Sequence, residues 1–143
     1  MAQAATATGT LCSEREQRVK QLILANLAGP LEVTELARAC ELSRSHFSRA
    51  FKRTTGVSPQ EWIRQQRIKQ AKVLITGSAL SLTQISQECG FCDQAHFCHL
   101  FSRSEGVNPM AWRKLQLRYR HHLRTAQLAI VNLKETVIPI SAS

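Results

Sequence analysis

The chain has 143 residues, enough for one ordinary domain or two very small ones and too few for two cores of usual size. Its 43% hydrophobic and 20% charged residues, with six Gly and four Pro, exclude a disordered or low-complexity chain, and no apolar run approaches the roughly 18 residues of a spanning helix. Nineteen Lys and Arg against ten Asp and Glu leave a net charge of +9, which asks for an anionic partner without choosing among nucleic acid, membrane surface and acidic protein.

From the N-terminus, MAQAATATGT has neither the basic start nor the apolar stretch of a secretory signal, so a cytoplasmic protein is expected, with residues 1–12 a flexible lead-in. Ser13 and Glu16 then read as caps of a helix carrying Val19, Leu22, Ile23 and Leu27, closed by Gly29 and Pro30. A first helix-turn-helix is expected over about 33–56. Leu36, Ala37 and Cys40 follow helical spacing, Glu41 and Leu42 turn the chain, and Ser43 caps a second helix with Phe47, Ala50 and Phe51 inward, ending at Gly56. Ser58, Pro59 and Glu61 open a linker helix over about 59–76 with Trp62, Ile63, Ile68, Ala71, Leu74 and Ile75 along one stripe. A second helix-turn-helix is expected over about 82–106. Ser81 and Gln84 form a capping box, Gly90 and Phe91 turn the chain, and Cys92 or Asp93 starts a helix with Phe97, Leu100 and Phe101 inward. Asn108 and Pro109 begin a last helix through Trp112 and Leu115, and residues 121–143 are a tail that matches nothing. Seven helices and no strand make the chain all-α.

The two units are copies. HFSRAFKRTTGVSPQEW, residues 46–62, aligns with HFCHLFSRSEGVNPMAW, residues 96–112, with eight of 17 pairs identical; VTELARAC aligns with LTQISQEC one residue out of step. Charge follows the same division. Residues 44–72 hold eight basic residues against Glu61, and residues 103–124 hold six against Glu105. In a helix-turn-helix the second helix enters the major groove, where base edges present distinguishable donors and acceptors. Removing the inward faces leaves Arg44, Ser45, Ser48, Arg49 and Lys52 outward on the first such helix, and Asp93, Gln94, Ala95, His96, His99 and Arg103 on the second. Two such helices on one chain address adjacent major grooves roughly 34 Å apart, so a monomer is expected to read an asymmetric site of about two turns.

The run from about residue 17 to 115, and ISQECGFCDQAHFCHLFSRSEGVNPMAWR above all, resembles the DNA-binding domain of AraC/XylS transcription regulators. The resemblance implies a sequence-specific regulator of transcription, commonly an activator, that touches double-stranded DNA and RNA polymerase and needs no cofactor. It places base-facing positions on Ser45, Ser48 and Arg49 in the first unit and on Gln94, Ala95, His96 and His99 in the second. His99 stands where the family usually has Arg, Ser102 where Lys or Arg is common, and Cys92 where a capping Ser, Asp or Glu is usual. The first unit is therefore expected to supply most of the affinity, with Arg53 on phosphate. The family normally adds an effector-sensing domain, for which this length leaves no room: either the chain is of the stand-alone type, which the opening Met1 favours, or it is a fragment or truncated gene product.

Other readings are weaker. Cys89, Cys92, His96 and His99 form a C-x2-C-x3-H-x2-H string with zinc-like spacing, yet Cys89 occupies an inward position that Cys40 fills in the other copy without a ligand set. The CGFC run lacks the βαβ setting of a redox motif, and five Cys read as free thiols. No paired carboxylates, nucleophile with base, or phosphate loop suggests an enzyme. The basic stretch from Arg64 to Lys72 is open to a solvated or a phosphate-contacting reading. The alternative to a DNA reader is an interaction module that binds polymerase or another regulator with little specific DNA affinity.

Overall fold

The computed structural model of the chain describes residues 9–137, and among these there are seven helices and no strand: α1 (Ser13–Ala25), α2 (Val33–Ala39), α3 (Arg44–Thr55), α4 (Pro59–Gly77), α5 (Leu82–Glu88), α6 (Gln94–Glu105) and α7 (Pro109–Val137). They enclose two hydrophobic cores. Val19 and Ile23 of α1, Leu36 and Ala37 of α2, and Phe47, Ala50 and Phe51 of α3 fill the first. Ile68, Ala71 and Ile75 of α4, Ile85 of α5, and Phe97 and Phe101 of α6 fill the second.

The linker helix does more than separate the units. Its first turns send Ile63 into the first core and its later turns build the second, so α4 is to α5 and α6 what α1 is to α2 and α3. The copies agree in detail. Phe51 meets Trp62 edge-on at 6.0 Å, Phe101 meets Trp112 at 5.8 Å, and the Nζ atoms of Lys20 and Lys72 lie 5.9 Å over those two indoles.

Three stretches differ from the sequence reading. The N-cap of α1 is Cys12 rather than Ser13, with no side-chain bond, because Glu16 N takes Cys12 O and the Glu16 carboxylate pairs with Lys20. Leu22 is correspondingly exposed, and Leu27 lies in the turn beyond the helix. The expected flexible lead-in of residues 1–12 is too long: Leu11 is buried in the first core and its N donates to Thr54 Oγ1 at 2.9 Å, while residues 1–8 lie outside the described residues. The expected tail of residues 121–143 is helical as far as Val137, since HHLRTAQLAIVNL is rich in helix formers and free of Gly and Pro; residues 138–143 lie outside the described residues.

Candidate nucleic-acid interface

Both α3 and α6 start on a side-chain cap. Ser43 Oγ accepts from His46 N at 3.2 Å and Asp93 Oδ1 accepts from His96 N at 2.7 Å. Asp93, not Cys92, therefore occupies the capping place. The turn residues Glu41 and Gly90 correspond, as do Ser43 and Asp93, which leaves Cys92 as the extra residue of the second copy, exposed between turn and cap. Both helices end at a left-handed glycine, Gly56 or Gly106, whose N donates to a carbonyl of the last turn, Lys52 O or Ser102 O.

On α3, Arg44, Ser45, Arg49, Lys52 and Arg53 are exposed and Ser48 is half-buried, with no acidic residue on the helix. Arg53 is drawn aside. Its guanidinium lies against Gly9, where an added Cβ would stand 2.2 Å from Nη1, so the segment before α1 crosses the C-terminal end of α3. On α6, Gln94, Ala95, His96, His99 and Arg103 are all exposed, and Arg103 is the one fixed cation of that helix. Gln94 Oε1 accepts from Thr83 Oγ1, which ties the start of α6 to α5. The His96 ring sits edge-on to Phe91 at 6.1 Å, beside an open cavity of about 200 Å³ that Leu31, Arg64 and Arg67 also line. His96 thus faces the junction between the units, whereas His99 projects from α6 as an exposed side chain.

What sequence reading missed is the use of arginines inside the protein. Arg67 Nε donates to Leu27 O at 3.2 Å and its Nη2 to Gly29 O at 3.0 Å, so a side chain of α4 holds the turn that follows α1. Burial pulls this guanidinium below its ordinary pKa, against the smaller opposing influence of Cys92 and Cys89. Beside it, Gly90 has φ +80 and approaches so closely that a Cβ would stand 2.1 Å from Leu27 O and 2.9 Å from Arg67 Nε. The second copy repeats the device one helix on: Arg113 donates to Ile75 O and Leu80 O, and Arg120 to Thr76 O. Arg64 pairs with Glu61, and Lys72 pairs with Glu105 at 2.8 Å. Much of the linker's positive charge is thus spent within the fold. A signal for this was present: matching Val19 with Ala71 and Ile23 with Ile75 aligns Arg15 with Arg67 and Lys20 with Lys72.

Among the described residues no group of three or more His, Cys, Asp or Glu gathers as a metal site, and Cys89 is fully buried. Burial pushes its thiol up to about 11, opposite to the lowered pKa of a redox-active CxxC. No helix among the described residues is long and apolar enough to cross a membrane.

A helix-turn-helix domain family model matches residues 36–115. The Msm operon regulatory protein of Streptococcus mutans is 34% identical over 76 residues, 53% of this chain and 27% of its own length. The chain spans about a quarter of the length of that relative. Among solved structures, the DNA-binding domain of the global transcriptional factor AdpA, in complex with a target DNA, is 30% identical with a TM-score of 0.71, the match covering 74% of this chain and 96% of that one. An AraC-type transcriptional regulator of Chromobacterium violaceum is 25% identical with a TM-score of 0.68 over 72% of this chain and 92% of its own. Two helix-turn-helix units in this order, with these relatives, settle the assignment: the chain belongs to the AraC/XylS-type helix-turn-helix family of transcriptional regulators.

Proposed function

We propose that the chain binds duplex DNA by inserting α3 and α6 into adjacent major grooves and regulates transcription from the bound promoter, as an activator that meets RNA polymerase. The observation that carries this reading is the pair of capped helices whose outward faces hold Arg44, Ser45, Ser48, Arg49 and Lys52 in one unit and Gln94, Ala95, His96, His99 and Arg103 in the other. AdpA, whose domain is similar over 96% of its length, was captured on its target DNA. One chain supplies both helices, so one copy fills one site of about two turns. Family membership argues for a binding protein rather than an enzyme.

The two helices have unequal tasks. α3 supplies phosphate and base contacts together, whereas α6, with Arg103 as its fixed cation, contributes chiefly through Gln94, His99 and Ala95 at base edges. Replacing Arg49 by Ala should cost about 1–3 kcal/mol on a site selected from random duplex and relax discrimination at one base position. Fluorescence anisotropy on selected and random duplexes checks it. An equal loss on both would assign Arg49 to phosphate. A wild-type specificity ratio near one would instead favour an interaction module, the reading that the weakly charged face of α6 supports.

A further inference from the structure

We propose that the free part of α7 is a self-association helix, pairing antiparallel with α7 of a second copy of this chain. Trp112 packs on the second core and Arg113 and Arg120 tie α7 to carbonyls at and after the end of α4, yet from Arg118 to Leu133 every residue is exposed. Within that stretch Tyr119, Leu123, Ala126, Ile130 and Leu133 follow one another at intervals of four, three, four and three. That alternation is the 3.5-residue period of a helix seated along another helix, and it continues the line of Trp112 and Gln116 without a break. Tyr119, Leu123, Ile130 and Leu133 are 61%, 49%, 52% and 64% exposed, too much apolar surface on one stripe for an isolated helix in water.

The other helices of the chain lay their apolar stripes on the two cores, so the helix with a free stripe of matching length and period is α7 of another copy. Side chains of roughly 150–200 Å² each give about 400 Å² of stripe per chain, and two facing stripes with their flanks remove on the order of 1,000 Å². This lies at the lower end of specific interfaces, the class of weak and reversible association. Charge sets the direction. Arg118, Arg120, Arg124, His121 and His122 crowd the near half of the stripe, while Thr125 to Leu133 carries no charge. Parallel pairing would stack the two cationic halves; antiparallel pairing lays each against the neutral half of its partner, with the small Ala126 near the crossing. Such a dimer joins two of the two-groove readers and goes beyond the proposal for a single chain, on which it does not depend.

Sedimentation velocity on the full chain without DNA tests it. The weight-average mass should climb from 16.0 kDa toward twice that value as concentration rises, and Ile130→Asp should hold it at the monomer value. Ile130→Leu should leave association unchanged, and a thermal melt identical to wild type shows that the exposed site has not disturbed the domain. Leu133→Glu, placed beside the partner's arginines, should retain more association than Leu133→Lys. A wild-type mass that stays at 16.0 kDa up to roughly 500 µM, or an Ile130→Asp variant that associates like wild type, overturns the proposal. Equal loss in the two Leu133 variants overturns the antiparallel direction.

Discussion

Ser86 and Ala37 hold the same position in the two copies, on the inward side of α5 and of α2, and both are buried. The difference between them is a hydroxyl. Ser86 Oγ is sealed from solvent without a hydrogen-bond partner, a state that costs about 1–3 kcal/mol for a polar group of this kind. The first copy shows that the packing accepts a methyl group there. Ser86→Ala should therefore stabilise the chain by about 1 kcal/mol, with a further small gain from helix propensity. Urea denaturation reads it as a midpoint moved upward at unchanged slope. A midpoint moved downward would show that the hydroxyl has a partner the protein depends on.

At the scale of elements, the sharpest constraint is the turn between α5 and α6. Gly90 combines a left-handed backbone with contact against the turn of the other unit, so Gly90→Ala meets two costs: about 1–2 kcal/mol for the conformation, and displacement of Leu27 O, which would stand 2.1 Å from the new Cβ. A loss of about 3 kcal/mol is expected by chemical denaturation, and a loss under 1 kcal/mol would mean that the two units are not in contact there. Glu41 in the matching turn holds a left-handed φ of 57 without being glycine, and its carboxylate reaches the buried Arg15 at 3.4 Å. Sequence pattern was enough for the helices themselves, because caps such as Ser43, Ser58 and Ser81 and stripes such as Phe47, Ala50 and Phe51 are local signals. It was not enough to name the partners of Arg67 or Arg113, carbonyls 33 to 40 residues away, although the repeat alignment of Arg67 with the buried Arg15 marks an arginine turned inward. The same limit applies to the candidate interface. Outward residues on α3 and α6 follow from period alone, but the turning of His96 toward Phe91 and the crossing of Arg53 by Gly9 depend on how separate segments meet.

For the whole molecule, the proposed insertion of α3 and α6 into two grooves raises the question whether they act as two tethered readers or as one rigid gauge. A shared helix would by itself leave the units free to bend about α4, but the structure adds a second fastening. Arg67 of α4 binds the turn after α1 through two carbonyls, and Gly90 in the turn after α5 closes on the same turn, so the first unit is fastened both to a side chain of the joining helix and to the backbone of the second unit. A rigid gauge measures the distance between its two grooves. Inserting one base pair between the two contacted segments of a selected site shifts one of them by about 3.4 Å and rotates it by roughly 35°, so wild-type protein should lose at least about tenfold in affinity. Arg67→Met removes the two carbonyl bonds while keeping much of the side-chain volume. It should lower affinity for the original site and also narrow the penalty for the inserted base pair, because a hinged protein follows the displaced groove. Titrations of both proteins on both duplexes at one salt concentration give the four numbers required. If the variant shows the wild-type insertion penalty, Arg67 stabilises the fold without setting the spacing; if neither protein distinguishes the two duplexes, only one of the two helices is reading DNA.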